Sequence, residues 1–172
     1  MVFLFLIKSN WVINMQIVLA SIIDSKELSY LKKQVWETTY RGIYEDSKID
    51  NYDYVKREEK FKNLINSDNQ EVYVCKDNNK IIGYMVVGEP LHGKLEGYNL
   101  TINDLGIESS YRGQGIGRMF IDIAKSKNKK LFNCCNYYND KARRFYEKMG
   151  GKIVKEEMDD NDKSYCQVYY VY

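Results

Sequence analysis

Three glycines fall within the seven residues Tyr111-Arg112-Gly113-Gln114-Gly115-Ile116-Gly117, where one hydrophobic periodicity gives way to another. Upstream, Tyr98 to Ile107 reads as a strand. Downstream, Gly115 to Lys127 places Ile116, Met119, Phe120, Ile123 and Ala124 on one helical stripe. Glycine lets the backbone turn tightly and leaves no Cβ in front of the amides. The first N–H groups of a helix lack internal partners and carry the positive end of its dipole. A strand, a glycine turn and a helix in this order therefore make either a tight structural turn or a seat for a phosphate or pyrophosphate. Two other phosphate loops are excluded. The spacing G-x-G-x-G is not the dinucleotide G-x-G-x-x-G, and no acidic residue closes a parallel βαβ unit downstream. No Gly-Lys-Ser/Thr follows, so this is not a Walker loop.

Alternating elements surround that turn. Gln16 to Ile23 reads as a strand, with Asp24-Ser25 as the N-cap of a helix carrying Leu28, Leu31 and Val35 on one face. Thr39 to Asp53 reads as a loop, and Tyr54 to Ile65 as a second helix with Phe61, Leu64 and Ile65 inward. Glu71 to Lys76 and Lys80 to Val87 form a hairpin around Asp77-Asn78-Asn79. Glu89 to Gly97, which holds the only proline, is a loop. Lys130 to Asn136 is a strand. Asn139 to Met149 is a helix with Ala142, Phe145, Tyr146 and Met149 inward, stopped by Gly150-Gly151. Two strands close the chain around Asp159 to Lys163. The expectation is one α/β domain over residues 15–172, a mixed sheet of about seven strands flanked by about four helices. Residues 1–14 are treated as an N-terminal extension: their apolar start is too short to span a bilayer and lacks the basic region of an export signal.

Among 172 residues the net charge is only +2, with Lys and Arg scattered among Asp and Glu. No basic face tracks a phosphate backbone, so a nucleic-acid partner is not expected. The four cysteines contain no C-x-x-C pair and there is one histidine, too few ligands for a zinc site, so no metal is expected. Adjacent Cys134 and Cys135 would face opposite sides of a strand, as buried thiols in a reducing cytoplasm.

Arg112-x-x-Gly115-x-Gly117 after a strand and Tyr111 resembles the acyl-CoA-binding motif of the GNAT acetyltransferase superfamily. Asn139, Ala142, Phe145, Tyr146, Glu147, Lys148 and Gly150 match its second signature, Asn-x-x-Ala-x-x-Phe-Tyr-x-x-x-Gly, in the right order and at a normal separation. The resemblance implies a single GNAT fold and acetyl-CoA as cofactor. It gives the amides of Arg112, Gly113, Gln114, Gly115, Ile116, Gly117 and Arg118 to the pyrophosphate of coenzyme A. It pairs the strand edge Leu105-Gly106-Ile107 with the pantetheine arm, and sets Asn139, Ala142, Phe145 and Tyr146 beside that arm.

The implied reaction moves an acetyl group to a primary amine by direct attack in a ternary complex. An aliphatic amine with pKa near 10.4 is neutral in only about one molecule in two thousand at pH 7, so a base must help. Tyr146 is either a core aromatic or, as the resemblance implies, the acid that protonates the leaving thiolate. Asp104, in Asn103-Asp104-Leu105-Gly106-Ile107, matches the Glu-Asp-hydrophobic run of polyamine and streptothricin acetyltransferases, except that Asn103 replaces the glutamate. Asp104 is then either the base and amine binder or an orienting carboxylate. Tyr40 and Tyr44, with Glu45, Asp46, Asp50 and Asp53 nearby, either border a pocket for a cationic amine or form an ordinary solvated loop. The acceptor expected is a small-molecule or peptide amine of cationic character, an antibiotic-resistance substrate among the possibilities. A catalytically weak acyl-CoA-binding module is the alternative. No membrane partner is expected, and the tyrosine-rich closing strand could serve a homodimer or end the sheet of a monomer.

Overall fold

The computed structural model describes residues 15–172; the proposed extension 1–14 lies outside the described residues. Within them a seven-stranded sheet runs in the order β1-β2-β3-β4-β5-β7-β6. Its strands are β1 Met15–Leu19, β2 Gln70–Asp77, β3 Lys80–Gly88, β4 Leu100–Ile107, β5 Leu131–Asn136, β6 Lys152–Glu157 and β7 Gln167–Val171. Five α-helices accompany them among the described residues: α1 Ser25–Tyr40, α2 Asp46–Asp50, α3 Tyr54–Ile65, α4 Ile116–Lys125 and α5 Asp140–Lys148.

The sheet is covered on both sides, which is why β3 is apolar along almost its whole length. Val72, Val74, Ile81, Tyr84 and Val86 face α1 and α3, packing on Leu28, Leu31, Val35 and Phe61. The alternate residues Tyr73, Cys75, Ile82, Met85 and Val87 face the other way, onto Ile116, Phe120, Ile123, Tyr146 and Met149 of the α4–α5 layer. Strand period two and helix period 3.6 thus meet in two cores, one on each face. Asn78 and Asn79 both adopt positive φ (47° and 69°), as a two-residue hairpin requires.

Four local expectations change. The first strand ends at Leu19, and a 3-10 turn Ile22–Asp24 follows it. Asp24 does not cap α1; its carboxylate turns back to the Ser21 amide (2.8 Å) and pairs with Lys76 (2.7 Å). The loop from Thr39 to Asp53 contains α2, whose Ile49 is fully buried, making five helices rather than four. The tyrosine-rich last strand is not an edge: β7 lies between β5 and β6, and Tyr169 and Tyr170 are buried. The exposed edge is β6. No helix of the described residues is long and apolar enough to cross a membrane.

Candidate active site

β4 and β5 are the one parallel pair in the sheet, and they pair only over Leu100–Ile102 with Leu131–Asn133. Beyond that point they part. The remainder of β4, Asn103 to Ile107, stays bonded to β3 on one side and presents a free edge on the other. β5 stays paired with β7 on its other side from Phe132 to Asn136, so Cys134 to Asn136 keep only that partner. A bulge helps the divergence: Val86 opposes Asp104 and Val87 opposes Ile102, so Asn103 is the extra residue. Its amide nitrogen donates to Gln70 Oε1 and Glu89 O, and its Oδ1 accepts from Leu91 N–H, each at 2.9 Å. Asn103 therefore fixes the start of the Glu89 loop, work that a glutamate, lacking the N–H donors, could not do. At the apex of the wedge the buried Asn133 accepts from Tyr172 (2.8 Å), while its Nδ2 has no acceptor among the described residues.

The glycine turn stands at the outer end of the free edge. Gly113 and Gly115 sit at φ of 81° and 88°, and space is open where a Cβ would point. Met119 N–H to Gly115 C=O (3.1 Å) is the first helical bond of α4, so the amides from Gly113 to Arg118 make no backbone hydrogen bond. Gly117 is small for another reason. A Cβ there would lie 2.8 Å from the Phe145 ring, so the two signatures meet where that glycine passes under this phenylalanine. Ile116 is buried and Arg118 is exposed. The Arg112 side chain does not face the turn. It donates to Ile107 O (3.1 Å) and to Thr38 and Thr39 Oγ1 (3.0 and 3.3 Å), tying the end of α1 to the end of β4.

Asn139 caps α5, its Oδ1 accepting from the Ala142 amide at 3.2 Å. Ala142 and Phe145 are partly buried against the core. Tyr146 is buried, with the Phe145 and Tyr170 ring centroids at 5.2 and 5.6 Å. Burial pushes its phenol well above the ordinary value, and Cys135, Tyr172, Tyr40 and Cys134 add to the effect. The hydroxyl therefore keeps its proton. Cys134 and Cys135 of β5 are free thiols raised by burial to about 11 and about 12.

Across the wedge, Tyr40 and Tyr44 stack (4.4 Å, 14°), with Trp36 edge-on to both. Burial raises Tyr40 above its ordinary range and Tyr44 to about 12; Asp104 and Cys134 contribute to both. Both tyrosines thus feel the charge of Asp104 and the Cys134 thiol. Asp104 is already engaged, paired with Lys32 and accepting from Tyr84 Oη at 3.1 Å, though 30% of its side chain stays exposed. Lys32 and Tyr84 were missed as site residues. A signal for Lys32 was present: it falls on the inward stripe of α1, four residues after Leu28, where a lysine needs a buried partner.

Of the acidic loop's carboxylates, Glu45 is exposed and without an ion pair among the described residues, while the other three are engaged. Arg41 pairs with Glu37 (3.2 Å), Asp46 (3.0 Å) and Asp50, and Asp53 caps α3 through the Lys56 amide. Lys48 bridges to Asp162 (2.7 Å) and Ser164 (3.0 Å), joining α2 to the segment between β6 and β7.

The fold and this wedge define an α/β protein of the acyltransferase type, and the comparisons give the family. Residues 34–151, more than half of the chain, match the model of the acetyltransferase (GNAT) family, and the chain belongs to that family. Over 69 residues it is 38% identical to the peptidyl-lysine N-acetyltransferase YjaB of Salmonella typhimurium, a match covering 40% of this chain and 48% of that protein. The matched stretch thus spans about half the length of that curated relative. The PaiA N-acetyltransferase of Thermoplasma acidophilum, solved with coenzyme A, has a TM-score of 0.73 at 21% identity, covering 92% of this chain and 99% of that one. YjaB of Escherichia coli, solved in its apo form, has a TM-score of 0.64 at 21% identity, covering 92% and 97%. Both share the fold.

Proposed function

We propose that residues 15–172 form an acetyl-transfer unit that moves the acetyl group of acetyl-CoA to a primary amine. The observation that carries this reading is the wedge, with unpaired α4 amides at one end and Tyr146 beside it. The site fits the cofactor. Six successive amides, Gly113 to Arg118, make no backbone hydrogen bond at a helix N-terminus, with open space at Gly113 and Gly115, and suit a pyrophosphate. The edge of Leu105-Gly106-Ile107 suits an amide-containing arm added like a strand. Asn139 keeps its amide nitrogen for that arm while its oxygen caps α5. Ala142 and Phe145 act mainly by packing, Phe145 holding α4 at Gly117.

When bound, acetyl-CoA supplies an acyl group activated as a thioester. The chain's own residues do the rest. Tyr146 holds its proton on Oη across the physiological range, ready for a leaving thiolate. Asp104 orients the amine: each carboxylate oxygen has one partner, and its exposed part retains lone pairs. Tyr40 and Tyr44 wall the amine's approach and exclude water. Tyr146→Phe tests the assignment. Turnover with a working amine should fall by roughly 10²-fold, in line with the loss of a general acid. Cofactor affinity should stay within about twofold, because the ring and its packing remain. Unchanged turnover would remove Tyr146 from the reaction.

A further inference from the structure

The acceptor side of the wedge carries more positive charge than it neutralises. Lys32, buried to 7% exposure, is held by Asp104 beside the Trp36 and Tyr84 rings, at 5.5 and 5.9 Å from their centroids. Arg57 of α3 lies over the same wall, 5.4 Å from Trp36 and 5.5 Å from Tyr52. No carboxylate of the described residues pairs with it. Its acidic neighbours are occupied elsewhere: Glu58 and Glu59 go to Lys62 (2.8 and 3.8 Å), and Asp53 to the Lys56 amide. Lys60, one turn further along α3, is likewise unpaired among the described residues. Lys60 itself is exposed, so it adds positive charge at the rim of the site. Of these three cations only Lys32 has a carboxylate partner, while Arg41 and Lys33 neutralise Glu37 and Arg41 also takes Asp46 and Asp50.

We propose that the acceptor is an amine that also carries a carboxylate, which Arg57 binds against the Trp36–Tyr52 wall beside Lys32. The inference rests on the acetyl-transfer reading and names its substrate class. A guanidinium stacked on aromatic rings keeps its N–H fork pointed outward, the geometry that grips a carboxylate with two hydrogen bonds. A purely cationic amine would bring a fourth positive charge into a half-buried site whose single carboxylate is already engaged, a placement that costs rather than gains. An amine bearing a carboxylate gives Asp104 the nitrogen and Arg57 the anion.

The test uses acceptor pairs that differ by one carboxylate: lysine and cadaverine, ornithine and putrescine, phenylalanine and phenethylamine. The whole chain is first checked for acetyl-CoA binding by calorimetry. The carboxylate-bearing members should show kcat/KM roughly 10- to 100-fold above their decarboxylated partners, the range for a hydrogen-bonded charge pair. In Arg57→Gln that ratio should fall toward one, mainly through KM, and Arg57→Lys should restore part of it. An unchanged thermal midpoint in both variants separates loss of recognition from loss of fold. Equal or better turnover of the decarboxylated partners would overturn the proposal, as would cofactor binding without acetylation of any member. Failure to bind acetyl-CoA at all would instead remove the acetyl-transfer reading beneath it.

Discussion

Gly115 and Gly117 stand two residues apart in one motif and are glycines for different reasons, so their substitutions should behave differently. Gly115 needs its left-handed φ of 88°, with open space around it. Gly115→Ala should therefore strain the backbone by about 1–2 kcal/mol and weaken cofactor binding without touching α5. Gly117 is limited by contact, since an added methyl would meet Phe145 at 2.8 Å. Gly117→Ala should cost about 1–3 kcal/mol from overpacking, seen in denaturant titration. Phe145→Leu in the same chain should return part of that loss, whereas it should do nothing for Gly115→Ala. A double-mutant cycle showing no coupling between positions 117 and 145 would contradict the packing account. Both glycines look alike in the sequence, because spacing records that a Cβ is absent and not whether dihedral or contact forbids it.

Among the elements, the wedge depends on β4 leaving β5 after three residue pairs, and the bulge at Asn103 is where β4 changes course. Asn103→Ala would strip Gln70 Oε1 and the Leu91 amide of their partners and leave Glu89 O with Gln70 Nε2 alone, costing about 1–3 kcal/mol, and should raise amide exchange in the Glu89 loop. Order and type of the strands and main helices follow from periodicity and glycine placement, as does the α4–α5 pair of signatures. The bulge and the wedge do not, because a one-residue slip in pairing leaves the hydrophobic pattern almost intact. Nor does the fate of the acidic loop: Asp46 and Asp50 look free in the sequence until folding brings them to Arg41. From α2, Lys48 holds the Asp162 carboxyl down to about 2, helped by Ser164. A depressed folded value gives stabilisation that is present above the ordinary carboxylate value of 3.8 and is lost as pH falls through about 2. Lys48→Ala should move the Asp162 titration back toward 3.8, read by carbon NMR of its side chain. An unmoved Asp162 would mean that the two segments do not meet in solution.

Taken whole, the molecule divides its labour across the sheet. The face with α4 and α5 offers amides, the open β4 edge and the protonated Tyr146. The face with α1 and α3 offers Asp104, Tyr40 and a ring of cations against aromatic rings. Arg112 ties these halves together, reaching from the end of β4 to Thr38 and Thr39 just before Tyr40. The thiols of half-buried Cys134 and buried Cys135, raised to about 11 and 12, should stay unmodified by iodoacetamide at pH 7.5 in the folded protein and react after unfolding. If the wedge and the α4 amides hold acetyl-CoA, calorimetric titration of acetyl-CoA into the chain shows it most directly. Micromolar, one-to-one binding that Gly115→Ala weakens at least about tenfold is the predicted result, from amides displaced at the helix N-terminus. Absence of binding at millimolar acetyl-CoA, or equal affinity in the variant, would contradict it.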